Sequence, residues 1–190
     1  MSGPISNCEL VNLEDMFQNG TVITETLIEK PHSFYTACNI ATQVISQVAS
    51  NTFGGQTISL AHLAPFVEIS RQKYREEVRK EFNDINLPVS ENDINLIAEK
   101  RVKDEIRRGV QTIQYQILTL LTTNGQTPFV SVFMYIDEVP EGQIREDLAT
   151  IIEEVLNQRI EGVKNKVGVW ITPTFPYLLG AVSTENLVNL

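Results

Sequence analysis

Cysteine is scarce in this 190-residue chain: Cys8 and Cys38 are its only two. Two are too few for a disulfide framework, and they lack the spacing of a metal-ligand cluster. A reducing, cytoplasmic compartment is therefore the expectation, with either thiol by default a small buried hydrophobe. No run of about 18 apolar residues occurs, so no transmembrane helix is expected. The start, Met1 to Cys8, lacks a basic stretch followed by an apolar core, and so lacks the pattern of a secretory signal. Positive charge is also in short supply. Fifteen Lys and Arg against 24 Asp and Glu leave a net charge of -9, which argues against non-specific nucleic-acid binding. A small anion is still admissible, because a local cluster of donors outweighs a distant field. There is no repeat, low-complexity stretch or linker. The rest is ordinary for a folded protein: 42% hydrophobic and 21% charged residues, at a length that suits one domain with its own core.

Cys8 to Leu13 is apolar at alternate positions and then continuously, which predicts a short strand ending at Glu14-Asp15. Asn19-Gly20 is a turn signal, and the β-branched run Thr21 to Ile28 predicts a second strand, so a hairpin-like excursion precedes the first helix. Ser33 is the N-cap expected for that helix. Ala37, Ile40, Ala41, Val44, Ile45 and Val48 form its apolar stripe, and Gly54-Gly55 ends it. Ser59 can cap a further helix near Leu60, with Pro65 a candidate for its true first turn. Helix formers continue from Val67 to Phe82. Asn83 to Asn92 is a loop, and Ser90 and Asp93 are candidate caps for a long helix whose stripe runs from Ile94 to Leu121 and stops at Asn124-Gly125. Phe129 to Ile136 suits a buried strand. Arg145 to Ile160 is an amphipathic helix closed by Gly162, Val167 to Ile171 reads as a strand, and Leu178 to Val182 follows an irregular turn bracketed by Pro173 and Pro176. The order is that of an α/β protein with crossover connections, with an unusual amount of helix between the first two core strands. Ser183 to Leu190 adds no closing element, as though the architecture were interrupted.

Two local patterns invite a phosphate reading and fail it. Gly54-Gly55 follows a helix and does not join a strand to a helix start, and Asn124 to Phe129 is too short and lacks the lysine of a phosphate loop. The mixed-sign run Arg71 to Lys80 has the pattern of a solvated helix face.

Several segments, taken together and in order, carry a family resemblance. Asn7-Cys8-Glu9-Leu10-Val11-Asn12-Leu13 precedes the Asn19-Gly20 turn. Thr42 to Ser50 (TQVISQVAS) runs into Phe53-Gly54-Gly55-Gln56-Thr57. Asn124-Gly125-Gln126-Thr127-Pro128-Phe129-Val130 is reinforced by Asn157 to Gly162 (NQRIEG) and Thr174-Phe175-Pro176. Their order and spacing are similar to those of the anaerobic, glycyl-radical (class III) ribonucleoside-triphosphate reductases, over nearly the whole chain. The likeness is to an internal piece of such an enzyme.

The resemblance implies an α/β fold, the opening portion of a ten-stranded α/β barrel with long dimer-interface helices, and residues 1–190 as a single partial catalytic-barrel domain. Family members also carry an amino-terminal nucleotide-sensing domain, a finger loop with the thiyl-radical cysteine, and a carboxy-terminal segment with the radical glycine and a zinc-binding cysteine cluster; none of these can be placed on this sequence. Cys38 falls in the first helix region and does not match the thiyl cysteine. The implied parent reaction is reduction of ribonucleoside triphosphates to deoxyribonucleoside triphosphates, with a glycyl radical installed by S-adenosylmethionine and an iron-sulfur activase, and formate as reductant. No cofactor is expected in this chain, which is expected to be inactive alone.

By the same resemblance, Cys8 is the catalytic candidate, a cavity-lining thiol able to donate a hydrogen atom or electron to a ribose-derived radical. Glu29, His32 and Gln43 match positions that line a deoxynucleotide effector site at the dimer interface, and Lys73 falls near one that supplies a phosphate-contacting cation. The residue types suit such a site: a Gln amide both donates and accepts at a base edge, and a carboxylate accepts from an amine or hydroxyl. Some relatives carry lysine, a permanent cation, where this chain has His32. Taken as residues alone, Cys8 is a structural thiol, His32 a loop histidine after Pro31, and Lys73 an exposed helix lysine. Tyr177 departs from the family, where lysine commonly follows Phe-Pro. The partners implied are nucleoside triphosphates, a deoxynucleotide effector, a second copy of the chain and the activase, with no membrane and no nucleic acid. The competing reading is a non-catalytic nucleotide-binding or dimerisation module.

Overall fold

The structure is a computed structural model, and it describes residues 8–23, 25–51, 54–120, 128–174 and 176–180. The helix stop expected at Asn124-Gly125 and the closing residues Ser183–Leu190 lie outside the described residues.

Four parallel strands form the sheet: β1 (Cys8–Leu10), β4 (Gly55–Ser59), β5 (Val130–Met134) and β8 (Tyr177–Gly180), in the order β1-β4-β5-β8. Each new strand is laid beside the last on the same edge, with Cys8 opposite Gly55, Gln56 opposite Val130 and Ser131 opposite Tyr177. A doubly wound sheet would reverse direction at a switch point; this one does not among its four strands. Crossovers run through α1 (Leu13–Asn19) and α2 (Phe34–Asn51), then α3 (Pro65–Asp84) and α4 (Glu91–Thr119), then α5 (Gln143–Glu161). One face of the sheet is dry: Ile58, Val130 and Val132 are buried against the helices. On the other face Leu10 is 71% exposed, and Phe133, Tyr177 and Leu179 are also exposed.

The chain departs from the sequence expectations where short-range pattern is weak. The strand expected through Leu13 ends at Leu10, and α1 follows at once. Asn12 caps it, its side-chain oxygen accepting from the Asp15 amide at 3.3 Å, while Leu13 and Phe17, one helical turn apart, are buried. Thr21–Ile28 is not one strand. It folds on itself as β2 (Thr21–Ile23) and β3 (Thr26–Ile28), turning at Glu25 with φ 66°. The strand β4 has no counterpart in the sequence reading, and it divides the long helical stretch expected between the first two core strands. Gly55-Gln56-Thr57-Ile58-Ser59 lacks the apolar run of a central parallel strand. Buried Gln56 stands in for an aliphatic residue and donates to the Ile45 carbonyl at 2.8 Å.

Ser59 does act as a cap, though of a single 3-10 turn at Leu60–His62, and α3 begins with Pro65 in its first turn. Ser90 caps α4, accepting from the Asp93 amide at 3.1 Å. The strand expected at Val167 to Ile171 shrinks to β7 (Trp170–Ile171), which pairs with β6 (Val163–Lys164) in a hairpin outside the main sheet. Residues 165–169 make its turn, with the Asn165 side chain accepting from the amides of Val167 and Val169, each at 3.0 Å, and Gly168 at φ 83°.

Candidate functional site

The long helices hold a polar surface in place. At the start of α2 the backbone amides lack partners within the helix, and neighbouring helices supply them. The Phe34 amide donates to Ser70 Oγ at 2.8 Å and the Tyr35 amide to Glu105 Oε1 at 2.8 Å. Ser70 donates to the same carboxylate oxygen at 3.1 Å. Within α2, Ser33 Oγ accepts from the Thr36 amide at 3.1 Å, as expected of the N-cap. A few residues on, Phe34 and Cys38 pack on Gly109 of α4, where a Cβ would sit 2.7 Å from the Phe34 ring and 2.8 Å from Cys38 Sγ. Only glycine allows so close a crossing. Burial, and then the nearby Glu105 carboxylate, push the Cys38 thiol well above its ordinary range. It is a core group, as the residue type suggests.

Gln43 is exposed on α2. It lines a groove of about 350 Å³ with Ile23, Asn39, Gln47, Gln116 and Leu120, formed by α2, the end of α4 and the β2–β3 hairpin. Glu29 and His32 are also exposed, on the segment that leads into α2. Gln43 lies ten residues into α2, about 14 Å along the axis from its start, and neither Glu29 nor His32 lines its groove. Lys73 stands on α3, 56% exposed, with its ammonium 3.9 Å from Glu77. The chain thus presents these four residues on exposed surface without gathering them into one pocket. The Cys8 backbone pairs with Gly55 at the edge of the sheet; its side chain lies outside what the structure describes. Tyr177 opens β8, its ring edge-on to Phe129 at 5.3 Å.

Two depressions were not anticipated. A cavity of about 420 Å³ lies beyond the carboxyl ends of β4 and β5, lined in part by Glu14, Phe17, Lys30, His62 and Glu138. A more open cleft of about 560 Å³ lies between α3 and α4, lined by Tyr74, Arg101, Asp104, Arg107, Arg108 and Gln111. The sequence shows the charge of the second, though not its shape, in residues 100–108, KRVKDEIRR, five cations within nine residues of an acidic chain.

Two arginines set the frame. Arg71, 3% exposed, ties α3 to α4 and α5: Nη2 is 2.5 Å from Asp147 Oδ1, Nε is 2.5 Å from Glu99 Oε1, and Nη1 pairs with Glu68. Burial opposes its charge, but the hydrogen bonds it donates to Asp147 and Glu68 outweigh it and push its pKa up. The run Arg71 to Lys80 is therefore not wholly a solvated face. Arg159, from the NQRIEG segment, donates to the carbonyls of Pro173 and Pro176 and holds the approach to β8. Among the described residues no group of three or more His, Cys, Asp or Glu side chains is placed to hold a metal ion, and no helix is long and apolar enough to cross a membrane.

Fold and surface define the class: a parallel α/β sheet wound in one direction, carrying a helical layer whose outer face is polar. The family model described as anaerobic ribonucleoside-triphosphate reductase matches residues 1–189. Curated relatives bearing that same name include the Haemophilus influenzae protein (35% identical over 179 residues, 93% of this chain), the Escherichia coli protein (35% over 182 residues, 94%) and that of Enterobacteria phage T4 (32% over 190 residues, 98%). The chain belongs to the anaerobic ribonucleoside-triphosphate reductase family. It spans 23% of the length of the first two relatives and 28% of the third.

Proposed function

We propose that this chain serves the reduction of ribonucleoside triphosphates to deoxyribonucleoside triphosphates as one part of the catalytic barrel, supplying a wall of the substrate cavity, the effector site and the dimer helices. The observation that carries this is the family match over residues 1–189. The one-directional strand order supports the barrel, because a sheet that adds successive parallel strands to one edge can curl and close, whereas a doubly wound sheet reverses at a switch point. In this reading the exposed face of the sheet turns inward, and Cys8 on its edge strand is the cavity thiol. Its S–H hydrogen passes to a carbon-centred ribose radical, leaving the unpaired electron on sulfur. The glycyl radical that initiates the chemistry, installed with S-adenosylmethionine by an activase, is assigned to no residue of this chain.

The effector site follows from the spacing on α2. Gln43 and the pair Glu29 and His32 are separated by about half of α2 within one subunit, so one nucleotide reaches all three only if a second subunit completes the pocket. A two-fold dimer through α2 and α4 does this, since a self-complementary face brings the start of one helix toward the middle of its mate. Exposed Tyr35 and Tyr115 are the aromatic anchors of that face. Lys73 is held only by a surface ion pair, which contributes little, and is free to turn to a phosphate. Sedimentation at tens of micromolar should show a dimer that a deoxynucleoside triphosphate tightens, because a ligand bound only by the assembled state shifts the equilibrium to it. A monomer unaffected by nucleotide contradicts the reading.

A further inference from the structure

The cleft between α3 and α4 is not used by that reading, and its construction is that of an anion site. Arg108 is held by neutral groups on two sides. Its Nε donates to the Asp104 carbonyl at 3.4 Å, its guanidinium carbon lies 5.9 Å from the centre of the Tyr35 ring, and Tyr74 lines the cleft with it. Burial and the nearby Glu105 carboxylate push the Tyr74 pKa up to about 12, so it remains a neutral phenol. A guanidinium has five N–H donors; one braced in this way has lost conformational freedom before any ligand arrives. Arg107 and Gln111 stand beside it on α4 and line the same cleft. Among the described residues, no ion pair within 4.0 Å involves Arg107 or Arg108, whereas Arg101 is neutralised by Glu81 at 2.8 Å and Glu77 at 4.0 Å. Among the described residues, Asp104 is the one carboxylate lining the cleft.

We propose that this cleft binds a polyphosphate chain, with Arg108 and Arg107 as its cationic donors and Gln111 and Tyr74 at its margin. The cleft meets the first turn of α2 through Tyr35, and Arg108 and Gln116 are eight residues apart on α4, about 12 Å. The Gln43 groove and the cleft therefore open along one helix. That the chain belongs to a nucleoside triphosphate rests on the proposed function; the anion site itself does not.

The test is calorimetric titration of the 190-residue chain at low salt with inorganic tripolyphosphate, a deoxynucleoside triphosphate and the matching unphosphorylated deoxynucleoside. Tripolyphosphate should bind, and added salt should weaken it. Arg108→Gln should weaken it about tenfold, the scale of a lost charge-assisted hydrogen bond. Arg107→Gln should follow the same direction. Lys80→Gln, which removes one exposed charge elsewhere on α3, should change it less than about threefold. Circular dichroism confirms that each variant is folded. Loss of equal size in all three variants would show unspecific charge and overturn the site, as would absence of tripolyphosphate binding to the wild type. A Gln43→Ala variant separates the two readings. If it leaves tripolyphosphate binding intact while weakening the nucleotide, both stand; if the nucleotide neither binds nor competes while tripolyphosphate depends on Arg108, the anion site stands and the nucleotide assignment falls.

Discussion

Replacing Arg71 by Met should be among the most damaging single changes in the chain. The side chain is 3% exposed and is tied to three carboxylates. Removing it strands them unequally. Glu68 and Glu99 are 42% and 41% exposed, so they regain water and contribute little to the loss. Asp147 is 6% exposed and keeps only the Gln143 amide, 3.1 Å from Oδ1. A buried charge that has lost its partner costs about 3–5 kcal/mol. Against a usual total of about 5–15 kcal/mol, that is a large part of the stability. For a domain of this size it corresponds to a fall in Tm of about 6–20 °C. The companion variant, Arg71→Met with Asp147→Leu, removes both charges and should recover most of the loss, because an apolar pair of similar volume replaces a buried ion pair at little cost. Urea unfolding followed by circular dichroism gives both numbers. A single variant within about 1 kcal/mol of wild type, or a double variant no better than the single, would refute the claim that this pair joins α3 to α5.

Gly109→Ala should destabilise despite the better helix former: about 1 kcal/mol of propensity is gained, but a methyl 2.7 Å from the Phe34 ring overpacks at a cost of about 1–3 kcal/mol, and thermal melting reads the difference. Cys38 should resist alkylation at pH 8 until the chain unfolds, because its pKa is raised by burial; mass spectrometry of labelled peptides separates it from Cys8. The same shift stabilises the fold below the ordinary thiol pKa and loses that contribution as pH rises through it. Glu81 and Glu91 have depressed pKa values from hydrogen bonds with Arg101 and Arg79. The α3–α4 ties they make are thus present above the ordinary carboxylate range and lost as pH falls through the depressed values, so amide exchange near residues 79–101 should quicken in acid and in high salt.

The long helices were legible because apolar residues recur at three-and-four spacing for several turns, and because Ser33, Ser90 and Gly162 mark their ends with specific chemistry. The elements that escaped are those whose character is set from a distance. β4 is a strand because β1 and β5 flank it, and its buried Gln56 is tolerated only because Ile45 offers a carbonyl. α1 is too short for periodicity to accumulate. Val167 to Val169 is apolar yet forms a turn, since Asn165 captures two amides locally. For the candidate site, the family resemblance pointed to Gln43, Glu29 and His32, but only the fold shows that one chain keeps them apart. The arginine cleft needs α3 laid beside α4, a relation that no local pattern in KRVKDEIRR conveys.

The most direct test of the central claim is calorimetric titration of the four deoxynucleoside triphosphates into wild type and Gln43→Ala. The account predicts that at least one binds in preference to the others. It also predicts that Gln43→Ala weakens this one about threefold to tenfold, the scale of one hydrogen bond to a neutral group, without unfolding the chain. Equal binding of all four to both proteins, at millimolar strength or weaker, would contradict it.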